Sequence, residues 1–451
     1  MNTLPEHDRH LQQVEQHIET QQIDPRQTTV TVIGLGYVGL PLAVGFDRAG
    51  FDVIGYDISE KTVAELEAGI DTTDELGDDT VEQSDVTFTT DSTEIARSEY
   101  VLITVPTPVD EDNTPSMEIV RSAGEAVGEH LAPGTTVVLE STVYPGATRE
   151  VLVPALEKGS GLTCGNGFNV GYSPERATPG DEEHGLEDVV KVVSGQTPEV
   201  CESVAALYEQ VLDVDVYRAP SLEVAEASKV VENVQRDVNI ALVNELAMTF
   251  EQMGIDTQAV LDAAATKWNF HEYEPGLVSG HCIPVDPYFL IHRARREGHT
   301  PELIRKSREV NESMPEHVAD LVVKGLTEAG NPLSESRVLV LGLTYKADVA
   351  DVRSSKVEDV LGHLREHGVE FAGYDPYVSE SILRDRFEVD AQETLDFEGF
   401  DCVLFATPHD EFSDIDPATV ANQLSNPPTI VDVYGLFDPA ELPERMIYRR
   451  V

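Results

Sequence analysis

A pattern of strands and turns that occurs once near each end of the chain most constrains how this sequence can fold. In the N-terminal copy, β-branched and apolar runs occupy residues 29–33, 51–56, 100–105 and 135–139, separated by stretches with helical spacing. Residues 337–341, 369–374, 401–405 and 429–433 repeat that order in the C-terminal copy. Strands that alternate with helical stretches predict a parallel sheet with crossover helices. We therefore expect an α/β protein with two doubly wound, Rossmann-like halves.

The region between the two copies predicts a central helical domain with a long helix. Apolar residues recur at helix spacing from Val224 to Val238. A helix this long, apolar on more than one face, is expected to join the halves and to pair with a second copy of the chain, although core packing alone accounts for most of these positions. The predicted organisation is a polar tail at 1–28, a first half at 29–218, the helical domain at 219–328 and a second half at 329–451.

The charge balance excludes several kinds of partner. The 451 residues include 83 acidic and 31 basic side chains, for a net charge of -52, while hydrophobic content is 41% and charged content 25%. Those fractions are ordinary for a globular protein, so the chain is not a disordered acidic one. Such a negative field repels nucleic-acid backbones and anionic membrane surfaces, and neither is an expected partner. An acidic, lysine-poor surface predicts a protein from a halophile, because it stays hydrated in concentrated salt.

Cysteine use and hydropathy indicate a cytoplasmic protein. The four cysteines, at 164, 201, 282 and 402, form no C-x-x-C pair and no cluster with histidine. We therefore expect neither a disulfide framework nor a metal site. Residues 1–28 lack the apolar core of a secretion signal, and no apolar run reaches 18 residues.

A glycine fingerprint follows the first strand. Gly34-x-Gly36-x-x-Gly39 stands between a strand and a helix, which is the context for binding the pyrophosphate of a dinucleotide at a helix N-terminus. Asp57 ends the second strand 23 residues after Gly34, where a carboxylate accepts hydrogen bonds from ribose hydroxyls and selects NAD over NADP. Lys61, one helical turn on, would weaken that preference, but we expect it to be solvent-exposed. The C-terminal copy keeps only the first glycine, so we expect it to bind another ligand.

A loop rich in glycine and proline carries Cys282. The loop, residues 275–287, cannot place this cysteine in a helix or strand of the core, and its glycines suit close approach to a ligand. Asp286, four residues on, is placed to orient a water or exchange protons. Lys229 and Asn233 lie four positions apart on one helix face, as stabilisation of a developing oxyanion requires.

Seven motifs in order carry a resemblance to a known family. They occupy residues 34–42, 105–108, 140–146, 172–176, 229–233, the Cys282 loop, and 342–346 with 351–353. From about Thr29 to the C-terminus, the sequence resembles the UDP-glucose/GDP-mannose dehydrogenase family of nucleotide-sugar 6-dehydrogenases. The resemblance implies a four-electron oxidation of a sugar C6 alcohol to a carboxylate with two NAD+, and a UDP site on the C-terminal half.

The resemblance also implies a role for each motif residue. Cys282 captures the C6 aldehyde as a thiohemiacetal, which is oxidised to a thioester. Lys229 and Asn233 stabilise the oxyanion, Asp286 with a water held by Thr142 accepts the alcohol proton, and Glu175 assists hydrolysis. The expected cofactor contacts are Gly34, Gly36, Tyr37, Val38, Gly39, Asp57, Lys61, Pro106, Thr107, Thr142 and Arg353. The expected substrate contacts are Glu175, Arg176, Lys229, Asn233, Gly276, Gly280 and Lys346.

Two departures from the family pattern indicate a branch. UDP-glucose dehydrogenases commonly carry a second glutamate where this chain has Pro179, and an arginine reaching the neighbouring subunit where residues 266–270 read Thr-Lys-Trp-Asn-Phe. Lys267 is the candidate to replace that arginine. These segments resemble the branch that acts on UDP-N-acetylhexosamines (N-acetylglucosamine, N-acetylgalactosamine or N-acetylmannosamine), for surface polysaccharide or glycoprotein glycan synthesis.

Three alternatives stay open. A UDP-glucose 6-dehydrogenase shares every motif except the two departures. The β-hydroxyacid dehydrogenases share the first half and the lysine–asparagine pair, but they transfer one hydride and lack the cysteine loop and the second half. A sugar-nucleotide-binding regulator with dead chemistry needs a missing catalytic residue, whereas all six candidates are present. In any of these enzymes, we expect the acidic residues on the outer surface and Lys229, Lys346 and Arg353 lining the cleft.

Overall fold

An eight-stranded sheet forms the framework of the first half. The protein is described from a computed structural model that covers residues 23–73, 75–176 and 188–451. The predicted tail therefore lies outside the described residues, apart from 23–28. The strands are β1 (Thr29–Ile33), β2 (Asp52–Tyr56), β3 (Thr87–Thr89), β4 (Tyr100–Ile103), β5 (Thr136–Leu139), β6 (Asn169–Tyr172), β7 (Lys191–Gly195) and β8 (Val216–Arg218).

The strand order of this sheet creates a crevice at its centre. The order is β3-β2-β1-β4-β5-β6-β7-β8, and every pairing is parallel except that of β6 with β7. β4 and β5 are buried along their whole length, which explains their unbroken apolar sequences. The chain reverses direction across the sheet between β1 and β4, so the loops after these two strands border the place where doubly wound sheets bind ligands.

Six helices accompany this sheet within the described ranges. They are α1 (Gly39–Arg48), α2 (Glu60–Glu67), α3 (Asp78–Glu82), α4 (Glu118–His130), α5 (Val153–Ser160) and α6 (Pro198–Tyr208). Thr148–Leu152 adds a π-helical turn before α5. Apolar side chains of β1, α1 and α6 pack into one core around Phe46 and Tyr208, whose rings meet edge to face.

The chain divides into two units within the predicted central domain. One unit comprises residues 1–231 and 288–297, and the other comprises residues 232–287 and 298–451. The division falls inside α7 (Leu222–Met253) and α9 (Asp286–Arg296), which α8 (Thr257–Ala265) separates along the chain. The predicted long helix is therefore present, at 32 residues. None of the helices described is both long and apolar enough to cross a membrane.

The second unit contains the other predicted sheet. Its strands are β9 (Arg337–Leu341), β10 (Glu370–Tyr374), β11 (Asp390–Ala391), β12 (Cys402–Phe405), β13 (Thr429–Asp432) and β14 (Ile447–Arg450), in the order β11-β10-β9-β12-β13-β14. All five pairings are parallel. The helices are α10 (Glu302–Ala329), α11 (Val357–Glu366), α12 (Glu380–Phe387) and α13 (Pro417–Gln423). The prediction of two doubly wound halves with helices between them is confirmed.

Candidate active site

The turn between β1 and α1 has the geometry of a phosphate-binding loop. Gly34 has a φ of +92°, which disfavours other residues. A Cβ added to Gly39 would lie 1.8 Å from the Gly34 carbonyl oxygen, so the helix can approach the strand only without a side chain there. A Cβ on Gly36 would meet nothing within 4 Å, which leaves open space beside the backbone. Tyr37 is exposed and Val38 half-buried just before α1 begins. These residues fit the pyrophosphate of a dinucleotide.

Asp57 lies where a ribose would be recognised. Its Oδ2 accepts a hydrogen bond of 2.9 Å from the Leu35 backbone N–H, and its Oδ1 accepts one of 2.9 Å from Ser59 N–H. Both oxygens keep lone pairs, and the residue is half-buried. Lys61 is 83% exposed and pairs with Glu65 at 3.6 Å, as expected of a solvent-facing lysine. The carboxylate therefore fits the hydroxyls of an unphosphorylated adenosine ribose.

The loops after β4 and β5 bring two more candidates together. The Thr107 hydroxyl donates a hydrogen bond of 2.7 Å to the Thr142 carbonyl oxygen, and Ser141 donates one of 2.6 Å to the Val105 carbonyl. Pro106 is exposed beside them. Thr142 thus belongs to the same edge of the sheet as the glycine turn.

Glu175 follows β6 and has partners that the sequence did not reveal. Its Oε2 lies 3.4 Å from the Lys191 ammonium, which also lies 2.8 Å from Glu140. Arg176, beside it, donates a hydrogen bond of 2.7 Å to the Val190 carbonyl. Lys191 was not singled out from the sequence because a lysine at the start of a strand carries no motif, and only its burial identifies it. Pro179, the position of the missing glutamate, lies outside the described residues.

Cys282 is an exposed cysteine, while Cys201 and Cys402 are buried and Cys164 is half-buried. The Cys282 carbonyl accepts hydrogen bonds from the N–H groups of Val285 and Asp286, at 3.1 and 2.9 Å, which form a turn at the start of α9. The interpretation that this cysteine does not belong to the core is therefore correct. A thiol on a tight, solvent-accessible turn is available for attack on a carbonyl.

Asn233 and Asp286 meet in the second unit. The Asn233 amide donates a hydrogen bond of 2.6 Å to Asp286 Oδ2, and both residues are buried. The second amide hydrogen of Asn233 keeps its capacity to donate to an oxyanion. Lys229 stands one turn before Asn233 on α7 and is half-buried. The structure therefore brings the Asn233 amide to the Asp286 carboxylate, which follows Cys282 by four residues in the sequence.

The glycines of the cysteine loop pack against aromatic rings. A Cβ on Gly276 would lie 2.6 Å from the Tyr434 ring, and one on Gly280, whose φ is +89°, would lie 3.0 Å from the Tyr345 ring. The Asn244 side chain binds the Gly276 backbone in both directions, at 2.7 Å from its N–H and 3.1 Å from its carbonyl. These contacts explain the two glycines by packing within the chain, and contact with substrate stays a prediction for them.

The second sheet differs from the first where a ribose would bind. Asp375 accepts a hydrogen bond of 2.7 Å from Leu343 N–H, as Asp57 does from Leu35. Here, however, buried His409 lies 3.1 Å from the same carboxylate oxygen. His409 Nδ1 accepts the Asp348 N–H at 2.9 Å, so its Nε2 is the atom that donates to Asp375. An imidazole therefore fills the place that a ribose hydroxyl takes in a dinucleotide site.

Lysine pairing singles out three candidates. Of the nine lysines, six form ion pairs: Lys61, Lys158, Lys191, Lys306, Lys324 and Lys356. Within the described part of the chain, Lys229, Lys267 and Lys346 form none. Lys229 and Lys346 are predicted substrate contacts and Lys267 is the candidate to replace the inter-subunit arginine, whereas Lys61, the predicted cofactor contact, pairs with Glu65. In a chain with such an acid excess, an ammonium without a carboxylate partner suits an anionic ligand.

The remaining candidates lie on exposed segments. Arg353 pairs with Asp351 through two guanidinium nitrogens, at 2.7 to 3.2 Å, and about half of its side chain is exposed. Trp268, next to Lys267, is 91% exposed. Across residues 23–73, 75–176 and 188–451, no group of three or more histidine, cysteine or acidic side chains could hold a metal ion.

Models of three consecutive domains of one family match the chain. The NAD binding domain of the UDP-glucose/GDP-mannose dehydrogenase family matches residues 28–212, its central domain matches 223–313, and its UDP binding domain matches 339–439. Together they cover most of the sequence, and each matches in the predicted order.

Relatives match the chain along nearly its full length. Protein CapL of Staphylococcus aureus is 44% identical over 413 residues, which are 92% of this chain and 97% of CapL. The UDP-N-acetyl-D-glucosamine 6-dehydrogenase of Pseudomonas aeruginosa is 44% identical over 387 residues, 86% of this chain and 92% of its own. The structure of UDP-D-ManNAc dehydrogenase from Pyrococcus horikoshii superposes with a TM-score of 0.85 at 30% identity, covering 94% of this chain and 99% of that one.

Proposed function

Because the chain belongs to the UDP-glucose/GDP-mannose dehydrogenase family, we propose that it oxidises the C6 hydroxyl of a UDP-N-acetylhexosamine to the uronate with two NAD+. The enzyme is an NAD-dependent nucleotide-sugar 6-dehydrogenase, and its sugar is N-acetylglucosamine, N-acetylgalactosamine or N-acetylmannosamine. The product serves surface polysaccharide or glycoprotein glycan synthesis.

The observation that carries this proposal is the exposed Cys282 thiol, four residues before the buried Asp286 carboxylate that Asn233 holds. An enzyme that removes one hydride needs no thiol, whereas removal of two requires the intermediate aldehyde to be retained. A thiolate adds readily to an aldehyde and keeps it bound. This feature argues against the β-hydroxyacid dehydrogenases.

NAD+ supplies the acceptor for the hydride in each of the two oxidations. In the first, Asp286 accepts the C6 hydroxyl proton through a water held by Thr142. Cys282 then captures the aldehyde as a thiohemiacetal, and the Lys229 ammonium and the free Asn233 amide hydrogen stabilise the oxyanion. After the second oxidation, water cleaves the Cys282 thioester with Glu175 as the base.

Ligand contacts follow from the same assignment. The glycine turn with Tyr37, Val38 and Asp57 holds the NAD, together with Lys61, Pro106, Thr107, Thr142 and Arg353. Glu175, Arg176, Gly276, Gly280 and Lys346 contact the UDP-sugar, in addition to Lys229 and Asn233. Lys267 takes the place of the family's inter-subunit arginine. Support comes from the absence of an ion-pair partner for Lys229, Lys267 and Lys346 among the described residues.

A panel of UDP-sugars tests this function. Purified protein in high salt with NAD+ is expected to form NADH with one or more of the three UDP-N-acetylhexosamines. The Cys282→Ala variant is expected to lose steady-state formation of uronate, while Cys164→Ala, at a half-buried cysteine far along the sequence, keeps it. No NADH with any UDP-N-acetylhexosamine contradicts the proposal.

UDP-glucose 6-dehydrogenase is the second candidate function, because the family model covers both substrates. The same panel separates the two. A kcat/KM at least about tenfold higher for UDP-glucose, a difference of about 1.4 kcal/mol in transition-state binding, would favour this alternative.

We further propose a homodimer through α7. The exposed large apolar residues Val224, Val231, Leu242 and Met253 are 7, 11 and 11 positions apart. At about 100° per residue these spacings keep all four within about 20° of one line along the helix. An exposed apolar stripe of this kind suits a second copy of the same helix. Leu242→Glu is expected to shift the molecular mass measured by light scattering from dimer to monomer, whereas Gln252→Glu does not.

A cytoplasmic location and a halophilic source complete the proposal. We also keep the division into a tail at 1–28, an NAD-binding domain at 29–218, a helical domain at 219–328 and a UDP-sugar domain at 329–451. The acidic surface supports the absence of nucleic-acid and membrane partners.

A further inference from the structure

A buried charged cluster lies behind Glu175 in the first unit. The Lys191 ammonium, at the start of β7, lies 2.8 Å from Glu140 Oε2 and 3.4 Å from Glu175 Oε2. The same nitrogen lies 4.9 Å from the centre of the Tyr208 ring, and the Tyr208 hydroxyl donates a hydrogen bond to Glu140. The Glu140 side chain is fully buried, that of Lys191 is 4% exposed, and that of Glu175 is 15% exposed. Glu175 is thus the member of the cluster closest to solvent.

The protonation states of the residues in this cluster depend on one another. Burial favours a neutral Lys191 amine, but the carboxylates of Glu140 and Glu175 outweigh it and raise the pKa of Lys191, so the ammonium persists. Burial raises the pKa of Glu140 to about 7, although Lys191 opposes the shift. Glu140 is therefore the group that titrates near neutrality, and the charged or titratable groups that face it are Lys191, Glu175 and Tyr208.

We propose that Lys191 is a positioning residue that fixes the Glu175 carboxylate for hydrolysis of the Cys282 thioester, and that Glu140 and Tyr208 hold Lys191 in place. This inference rests on the proposed function. In the hydrolytic step, the oxygen of water bonds to the acyl carbon and the carbon–sulfur bond breaks. The Cys282 sulfur leaves as a thiolate, and one proton of the water passes to Glu175.

The geometry explains why a single lysine serves both carboxylates. Glu175 lies on the side of the cluster closest to solvent, and an isolated carboxylate there would rotate freely between rotamers. A buried ammonium at 3.4 Å restricts it, while the closer contact to Glu140 and the Tyr208 ring restrict the ammonium. When Glu140 takes up a proton, Glu175 becomes the only carboxylate opposite the lysine in this cluster of described residues, so its base strength falls.

Lys191→Met keeps an unbranched side chain only one heavy atom shorter and removes the charge. It is compared with Lys191→Arg and with Lys158→Met, at an exposed surface pair. Rapid-mixing absorbance follows NADH, and intact-protein mass spectrometry follows the Cys282 acyl adduct. Lys191→Met is expected to release NADH in a burst of two per active site and then turn over at least about tenfold more slowly, with the adduct accumulating. The kcat/KM for the UDP-sugar changes less than about threefold, because slower hydrolysis lowers kcat and the apparent KM together. Lys191→Arg recovers part of the rate, and Lys158→Met matches the wild type.

Glu140→Gln provides the second arm if Lys191→Met does not fold. The wild-type rate of adduct decay is expected to rise with pH through a transition near 7, and Glu140→Gln is expected to lack that transition. The inference is overturned if folded Lys191→Met shows wild-type turnover, if both oxidation steps slow as much as hydrolysis, or if Glu140→Gln keeps the wild-type pH profile. If the wild type forms no NADH, the proposed function itself fails and this inference fails with it.

Discussion

Single glycines of the turn after β1 differ in whether they leave space for a cofactor. Gly36 and Gly39 belong to the same glycine-rich motif, but their surroundings differ. Gly39 faces the Gly34 carbonyl and the Thr104 hydroxyl, at 1.8 and 2.5 Å from the position of a Cβ. Gly36 faces open space. Gly39 is therefore required by packing within the fold, whereas Gly36 leaves space that we propose a ligand fills.

That difference predicts opposite effects of the same substitution. Gly36→Ala is expected to fold with a melting temperature within about 2 °C of wild type, because nothing opposes the methyl group, and to weaken NAD binding at least about tenfold. Gly39→Ala is expected to lower the melting temperature clearly, because the methyl group overlaps backbone atoms. Thermal unfolding and NAD titration measure both variants. Unchanged NAD affinity in Gly36→Ala would contradict the assignment of this turn to the pyrophosphate.

At the scale of elements, α7 and α10 support the cysteine loop through a buried polar network. Asn244 on α7 binds the Gly276 backbone in both directions, and the Asn311 side chain on α10 accepts a hydrogen bond of 2.9 Å from it. Asp237 on α7 pairs with buried Arg308 on α10. Because buried polar groups are costly to leave without partners, this network fixes where the loop begins.

Asn244→Ala is expected to lower kcat more than tenfold and to destabilise the protein by about 2 kcal/mol, because it leaves the Gly276 N–H and carbonyl without their partner. The KM for NAD is expected to change little, since the glycine turn belongs to the other unit. Asn239→Ala is the control, because among the described residues that side chain bonds only the Gln235 carbonyl, one turn earlier on the same helix. Equal kcat values for the two variants would show that Asn244 does not position the loop.

Secondary-structure elements could be predicted from the sequence more readily than the contacts between side chains. The strand at Thr29–Ile33 and its glycine turn were recognisable because each depends on neighbours in the chain. The pairings of Asn244 with Gly276 and of Lys191 with Glu140 join residues that are 32 and 51 positions apart, with no local pattern to reveal them. The imidazole of His409 beside Asp375 was likewise hidden, although the missing glycines already indicated that the second sheet binds something other than a dinucleotide.

At the scale of the whole molecule, the net charge of -52 dominates behaviour in solution. Repulsion among 83 acidic side chains opposes the compact state. Salt weakens this repulsion, because the screening length falls from about 10 Å at 0.1 M to about 3 Å at 1 M. Among the described residues, Lys229, Lys267 and Lys346 form no ion pair despite the excess of acidic side chains. The charge is the basis for the proposed halophilic source, and the lysines without ion pairs are the basis for the proposed ligand contacts.

The charge predicts that stability rises with salt. The melting temperature is expected to increase by roughly 10 °C or more between 0.1 M and 2 M KCl, since screening reduces a repulsion that is stronger in the compact folded state than in the unfolded chain. Differential scanning fluorimetry across KCl concentrations measures the change, with an equal-osmolarity sucrose series as the control. A flat or falling melting temperature in KCl would contradict the halophilic interpretation.

The proposed function depends on two oxidations occurring at one site through one thiol. Limiting UDP-N-acetylglucosamine, or whichever UDP-N-acetylhexosamine the panel identifies, is converted to completion with excess NAD+, and the NADH formed is counted against the sugar consumed. We predict two NADH per UDP-sugar, with the uronate as product and no free aldehyde. One NADH per sugar, with the aldehyde released, would contradict it.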